Sequence, residues 1–115
     1  MNRNVYLVLL SFLFLVSGCQ KKIPADEHIR VTMKKYSIEP SLIRVKSGEI
    51  VELEIIAVDV QHGLDIPDLG IKNPVQPGRP ATVTFKAPAK GEYRIACGVI
   101  CGPHHEDMVG KLVVE

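Results

Sequence analysis

The chain has 115 residues, enough for one domain with one core, and its formal net charge is +1 with His neutral. No basic patch stands out, aromatic residues make up 5% and Trp is absent. The charge and stacking surfaces that nucleic-acid partners require are therefore missing, and no internal repeat or low-complexity run suggests an array.

Residues 1–18 read as a signal peptide of the lipoprotein type. Arg3 supplies a positive start, Val5 to Val16 is apolar except for Ser11, and Ser17 and Gly18 are small. The apolar run is shorter than the roughly 20 residues of a membrane span. "VSGC" resembles the bacterial lipobox, which implies lipid on Cys19 as the mature N-terminus. A plain uncleaved anchor is the alternative. Either way the domain is expected outside the cytoplasm and held to a membrane. Residues 19–27 are polar, contain Pro24 and have no periodicity, as in a tether.

From His28 onward, apolar residues alternate with polar ones. Ile29, Val31 and Met33 alternate with Arg30, Thr32 and Lys34. Val51, Leu53, Ile55 and Ala57 alternate with Glu52 and Glu54. Ala81, Val83 and Phe85 follow, then Tyr93, Ile95 and Cys97, and finally Leu112 and Val114. Period two with one apolar face predicts antiparallel sheet buried on one side. The turn signals "EPS", "KSGE", "NPVQPGRP", "APAKGE" and "CGP" separate the runs. Short, regularly spaced strands predict an all-β sandwich or barrel over residues 28–115. A thioredoxin-like fold needs helices between strands, and no long amphipathic helix is written here.

The segment "CGVICGPHHEDM" concentrates two thiols, two imidazoles and a thioether between Cys97 and Met108. A structural disulfide is permitted outside the cytoplasm, but so small a loop gains little entropy and leaves His104, His105 and Met108 unexplained. Thiolate, thioether and imidazole together favour copper, zinc or iron, and the methionine tilts the choice to copper. A mononuclear site could use Cys101, His104, Met108 and His62 from "VDVQHGLDIP", leaving Cys97 unused. The spacing C-x3-C-x3-H-x2-M uses Cys97, Cys101, His105 and Met108 with His62. Spacing alone leaves both open. His28 reads as a solvated strand residue, and Met33, in phase with Val31, as core.

That second spacing resembles the binuclear Cu-A centre of cytochrome c oxidase subunit II and nitrous oxide reductase. "DVQHGLDIP", "PGRPATVTFKAPAKGEYRIAC" and "MVGKLVVE" extend the resemblance over roughly Ile29 to Glu115. It implies a cupredoxin-like antiparallel Greek-key β-sandwich carrying two copper ions. Cys97 and Cys101 would bridge both coppers, and His62 and His105 would each cap one. Met108 and the carbonyl of Val99 would be the weak ligands. The implied role is electron transfer, with cytochrome c or an oxidase subunit I as partner, and whether the chain serves as the electron-entry subunit of an oxidase stays open. The sequence departs from subunit II in three ways. One short apolar segment stands where the family has two membrane helices, the aromatic electron-input patch lacks Trp, and Val99 replaces an acidic residue that many members use to hold magnesium. A copper chaperone or store, or a blue-copper carrier, could use the same ligands. Thioredoxin-fold copper chaperones share C-x3-C, but they place Pro where this chain has Gly102.

Overall fold

The computed structural model describes residues 24–115; the apolar leader and Cys19 lie outside the described residues. Nine strands form: β1 Glu27–Lys34, β2 Ser37–Glu39, β3 Leu42–Val45, β4 Ile50–Ala57, β5 His62–Ile66, β6 Ile71–Val75, β7 Ala81–Lys86, β8 Gly91–Cys97 and β9 Val109–Val114. Single 3₁₀ turns at Pro67–Leu69 and His105–Asp107 are the helical pieces among the described residues. None of these residues forms a helix long and apolar enough to cross a membrane.

The strands make two sheets, ordered β2-β1-β4-β7 and β3-β9-β8-β5-β6. The alternation explains why they face each other. In β4, Val51, Leu53, Ile55 and Ala57 are buried while Glu52, Glu54 and Ile56 are half-buried on the other face. The inner faces meet in one core with Val31, Met33, Ile43, Leu64, Ile66, Ile95 and Leu112 fully or almost fully buried. The expected all-β sandwich is present, but its sheets are mixed. β1 runs parallel to β4, with Val31 opposite Ile55, and β3 runs parallel to β9, with Ile43 opposite Leu112. Period two reports which face is buried and is silent on strand direction, so these pairings were not legible.

The short strands β2, β3 and β6 also lay outside the periodic runs. β6 includes Asn73, Pro74 and Val75, the first residues of the stretch read as a turn. Pro74 is tolerated there because β6 is an edge strand of its sheet.

The strand directions define two poles. β1, β4 and β8 end at one of them, where β5 and β9 begin, as the paired ends Met33 with Ala57, Leu64 with Cys97 and Ala96 with Val109 show. At the opposite pole the Ser47 amide donates to the Glu115 carbonyl (2.9 Å) and the Gly48 amide to that of Ala87 (3.0 Å). Gly48, at φ +85°, supplies the left-handed step in the "KSGE" turn.

Candidate metal centre

The first pole gathers the predicted ligands. His62 opens β5, and its ring is completely buried. Cys97 closes β8 and is buried, Cys101 follows in the loop, and Met108, also buried, precedes β9. Backbone bonds fix these pieces to one another. The Cys97 amide donates to the Met108 carbonyl (3.1 Å), and the Gly98 amide donates to the Gly63 carbonyl (2.9 Å). A β-carbon at Gly98 would meet the Asp65 carboxylate, which would have to move aside.

The donor atoms of His62, Cys97 and Cys101 all lie within 4.8 Å of one another. His62 Nδ1 stands 3.8 Å from Cys97 Sγ. Cys101 Sγ lies 3.4 Å from Met108 Sδ, and Cys97 Sγ donates to the Val99 carbonyl at 3.1 Å. Both thiols are free. Burial pushes the Cys101 thiol up, and the neighbouring Cys97 adds to the shift. His105 brings Nδ1 to a buried position with no hydrogen-bond partner. An unpartnered buried ring nitrogen is costly unless a ligand satisfies it. Two thiols and a thioether are soft donors and two imidazoles are borderline ones, a combination that suits copper.

One participant was missed in the sequence. Asp59 lies three residues before His62 in the same loop, and its Oδ1 accepts from His62 Nε2 at 2.7 Å. With that nitrogen donating, Nδ1 keeps its lone pair toward Cys97, the state a metal ligand needs. The backbone amide of Lys35 donates to Asp59 Oδ2 (2.8 Å), and that of Val60 donates to Oδ1 (2.7 Å). The Lys35 amide, with His62 and Val60 beside it, holds the Asp59 carboxyl far below the usual carboxylate range against the opposing effect of burial. The spacing D-x2-H was the available signal.

His104 is placed differently from His105. It is 65% exposed, its Nδ1 lies 3.3 Å from Asp107 Oδ2, and its ring meets Tyr36 edge-on at 5.2 Å. His28 is also at the surface, against Glu52 on the outer face of the other sheet. Met33 is core.

A fold of two packed β-sheets with His, Cys and Met gathered in loops at one pole defines the cupredoxin class, and the cupredoxin-like domain model matches residues 6–114. The chain belongs to the cupredoxin-like family, in the branch of cytochrome c oxidase subunit II. It is 39% identical over 94 residues to cytochrome c oxidase subunit 2 of Thermus thermophilus, covering 80% of this chain and 68% of that one. Against the subunit 2 of a second Thermus thermophilus strain the identity is again 39%, and the chain spans 55% of that protein's length. Among solved structures, the periplasmic domain of subunit II of the cytochrome oxidase of Bradyrhizobium japonicum superposes with a TM-score of 0.74. That match covers 81% of this chain and 86% of the other at 22% identity, a likeness of fold.

Proposed function

We propose that this protein is an extracytoplasmic electron carrier, tethered to a membrane by lipid on Cys19, with a binuclear Cu-A centre. In this reading residues 1–18 are removed, 19–27 form the tether and 28–115 form the copper domain. Cys97, Cys101, His62 and His105 would hold the coppers, with Met108 and the Val99 carbonyl as weaker donors. The copper pair would supply a centre that gains and loses one electron. The protein's part is to hold soft donors rigidly, so that little moves on redox change. Cys97 and Cys101 sit on or beside strand β8, His62 on strand β5, and Asp59 locks the His62 ring.

The observation that carries the reading is the approach of the His62, Cys97 and Cys101 donor atoms within 4.8 Å; the buried Nδ1 of His105, in the same Cys97–Met108 segment, lacks a hydrogen-bond partner. A mononuclear centre built on His104 is less well supported, since that ring is exposed and already paired with Asp107. The relatives' name supports oxidase work, in which a subunit I would receive the electron; a free relay to a cytochrome-type partner uses the same site. A copper chaperone or store is the second reading, because the same donors could hold copper without redox turnover.

Copper loading under reducing conditions followed by partial oxidation separates these readings. Two coppers per chain and an EPR spectrum with one electron shared over both are expected. One copper with the hyperfine pattern of a single nucleus would overturn the binuclear assignment. Two coppers that never cycle between oxidation states would favour storage.

A further inference from the structure

We propose that Asp65 tunes the copper centre, holding its reduction potential down by keeping an unpaired negative charge against the backbone between two of the proposed ligands. This rests on the copper site proposed above and gives a role to a residue outside its donor set.

Asp65 lies in β5, which runs inside its sheet between β8 and β6. Ala96 stands opposite it on one side and Lys72 on the other. Leu64 and Ile66 on either side of it point into the core, so Asp65 is on the outer face, where it is half-buried. Its carboxylate rests over Gly98. Both oxygens and Cγ are the atoms nearest to where a β-carbon of Gly98 would stand. Gly98 joins Cys97 to Val99. The charge therefore lies on the piece of backbone that carries a proposed thiolate at one end and a proposed carbonyl donor at the other.

That carboxylate has no hydrogen bond or ion pair among the described residues. Asp59 is the contrast, since its oxygens are matched by His62 Nε2 and by the amides of Lys35 and Val60. The cations on the outer face of the Asp65 sheet do not supply a match. Lys72 and Arg94 are exposed to water and make no ion pair with Asp65, and Lys111 is held by Glu92 at 3.0 Å. Aspartate is disfavoured in strands, and a half-buried carboxylate without a donor carries a desolvation cost that nothing nearby offsets. A residue set against local preference in this way is expected where a site uses it.

Reduction adds one electron, so the oxidised centre is the more positive by one unit. A fixed negative charge beside it favours the oxidised state and makes reduction harder. Aspartates are negative at neutral pH, and partial burial limits screening by salt. Gly98 is what lets the carboxylate come so close. Its backbone is outside the left-handed region, so the missing side chain, rather than conformational freedom, is the use of a glycine there.

Copper-loaded wild type, Asp65→Asn, Asp65→Val, Asp65→Glu and Gly98→Ala are compared by optical redox titration, with copper content and EPR alongside. The equilibrium constant for reduction should rise severalfold in Asp65→Asn and Asp65→Val, with copper content and spectrum unchanged. Asp65→Glu, which keeps the charge, should stay close to wild type. Gly98→Ala moves the carboxylate aside and should give a smaller rise, and combining it with Asp65→Asn should give less than the sum of the two. Urea denaturation of the metal-free proteins separates charge from packing: Asp65→Asn and Asp65→Val should be at least as stable as wild type. A constant that stays the same or falls in both variants overturns the tuning role. A rise that comes with lost copper or a less stable metal-free fold also does so, and makes Asp65 a structural residue. Wild-type protein that takes up no redox-active copper refutes the copper reading itself, and the tuning falls with it.

Discussion

His105 and His104 are neighbours in sequence with opposite surroundings, one with a buried, unpartnered Nδ1 and the other 65% exposed on Asp107. His105→Ala is expected to remove a copper ligand and abolish the shared-electron spectrum, while His104→Ala leaves copper content and spectrum nearly unchanged. Cys97→Ser removes one of the two thiolates proposed as ligands, so in the binuclear reading copper should fall to at most one ion per chain. A single-copper centre on His62, His104, Cys101 and Met108 would instead survive it. Wild-type copper content and EPR in both Cys97→Ser and His105→Ala would sink the binuclear assignment. Asp59 acts at one remove, through the 2.7 Å bond to His62 Nε2. Replacing the hydrogen-bond partner of a ligating imidazole typically costs about 10–100-fold in metal affinity, so Asp59→Ala should weaken copper binding by that order. Asp59→Asn, which keeps an acceptor oxygen, should recover part of the loss. Competition titration against a copper chelator measures both.

At the level of elements, β4 holds the sandwich together. It lies between β1 and β7, and Leu53 and Ile55 are fully buried. Leu53→Ala should destabilise the fold by about 2–5 kcal/mol, the range for emptying a well-packed leucine site. Thr84→Ala, on the exposed face of β7, should change stability by no more than about 0.5 kcal/mol. Urea denaturation of the two variants reads the difference. Strands such as β4 and β7 were legible because each buries one face and alternates cleanly. β2 and β3 are three and four residues long, too short for periodicity to register. Strand direction was illegible for the reason already given. The ligands were legible because soft donors at fixed spacing are rare, whereas Asp59 was not: an aspartate in a loop is ordinary until the fold sets a histidine beside it.

The whole molecule binds metal only as a finished fold. His62 comes from β5 and the other proposed ligands from the β8–β9 connection, so copper favours the native chain over the unfolded one. At free copper about a thousandfold above Kd, the gain approaches about 4 kcal/mol per independent site. Thermal unfolding should therefore shift upward on loading and return on chelation. An unchanged midpoint despite measured binding would mean that the unfolded chain holds copper equally well. Oxidation should block loading, since Cys97 and Cys101 joined as a disulfide cannot offer thiolates.

The parallel pairing of β3 with β9 has a consequence in time. Leu42 meets Lys111 and Val45 meets Val114 across nearly the whole length of the domain's sequence. A chain emerging N-terminus first therefore exposes both thiols before the strand that seals their loop has arrived. For a chain exported as proposed above, the hazard would be premature oxidation of Cys97 and Cys101, until the last strand docks.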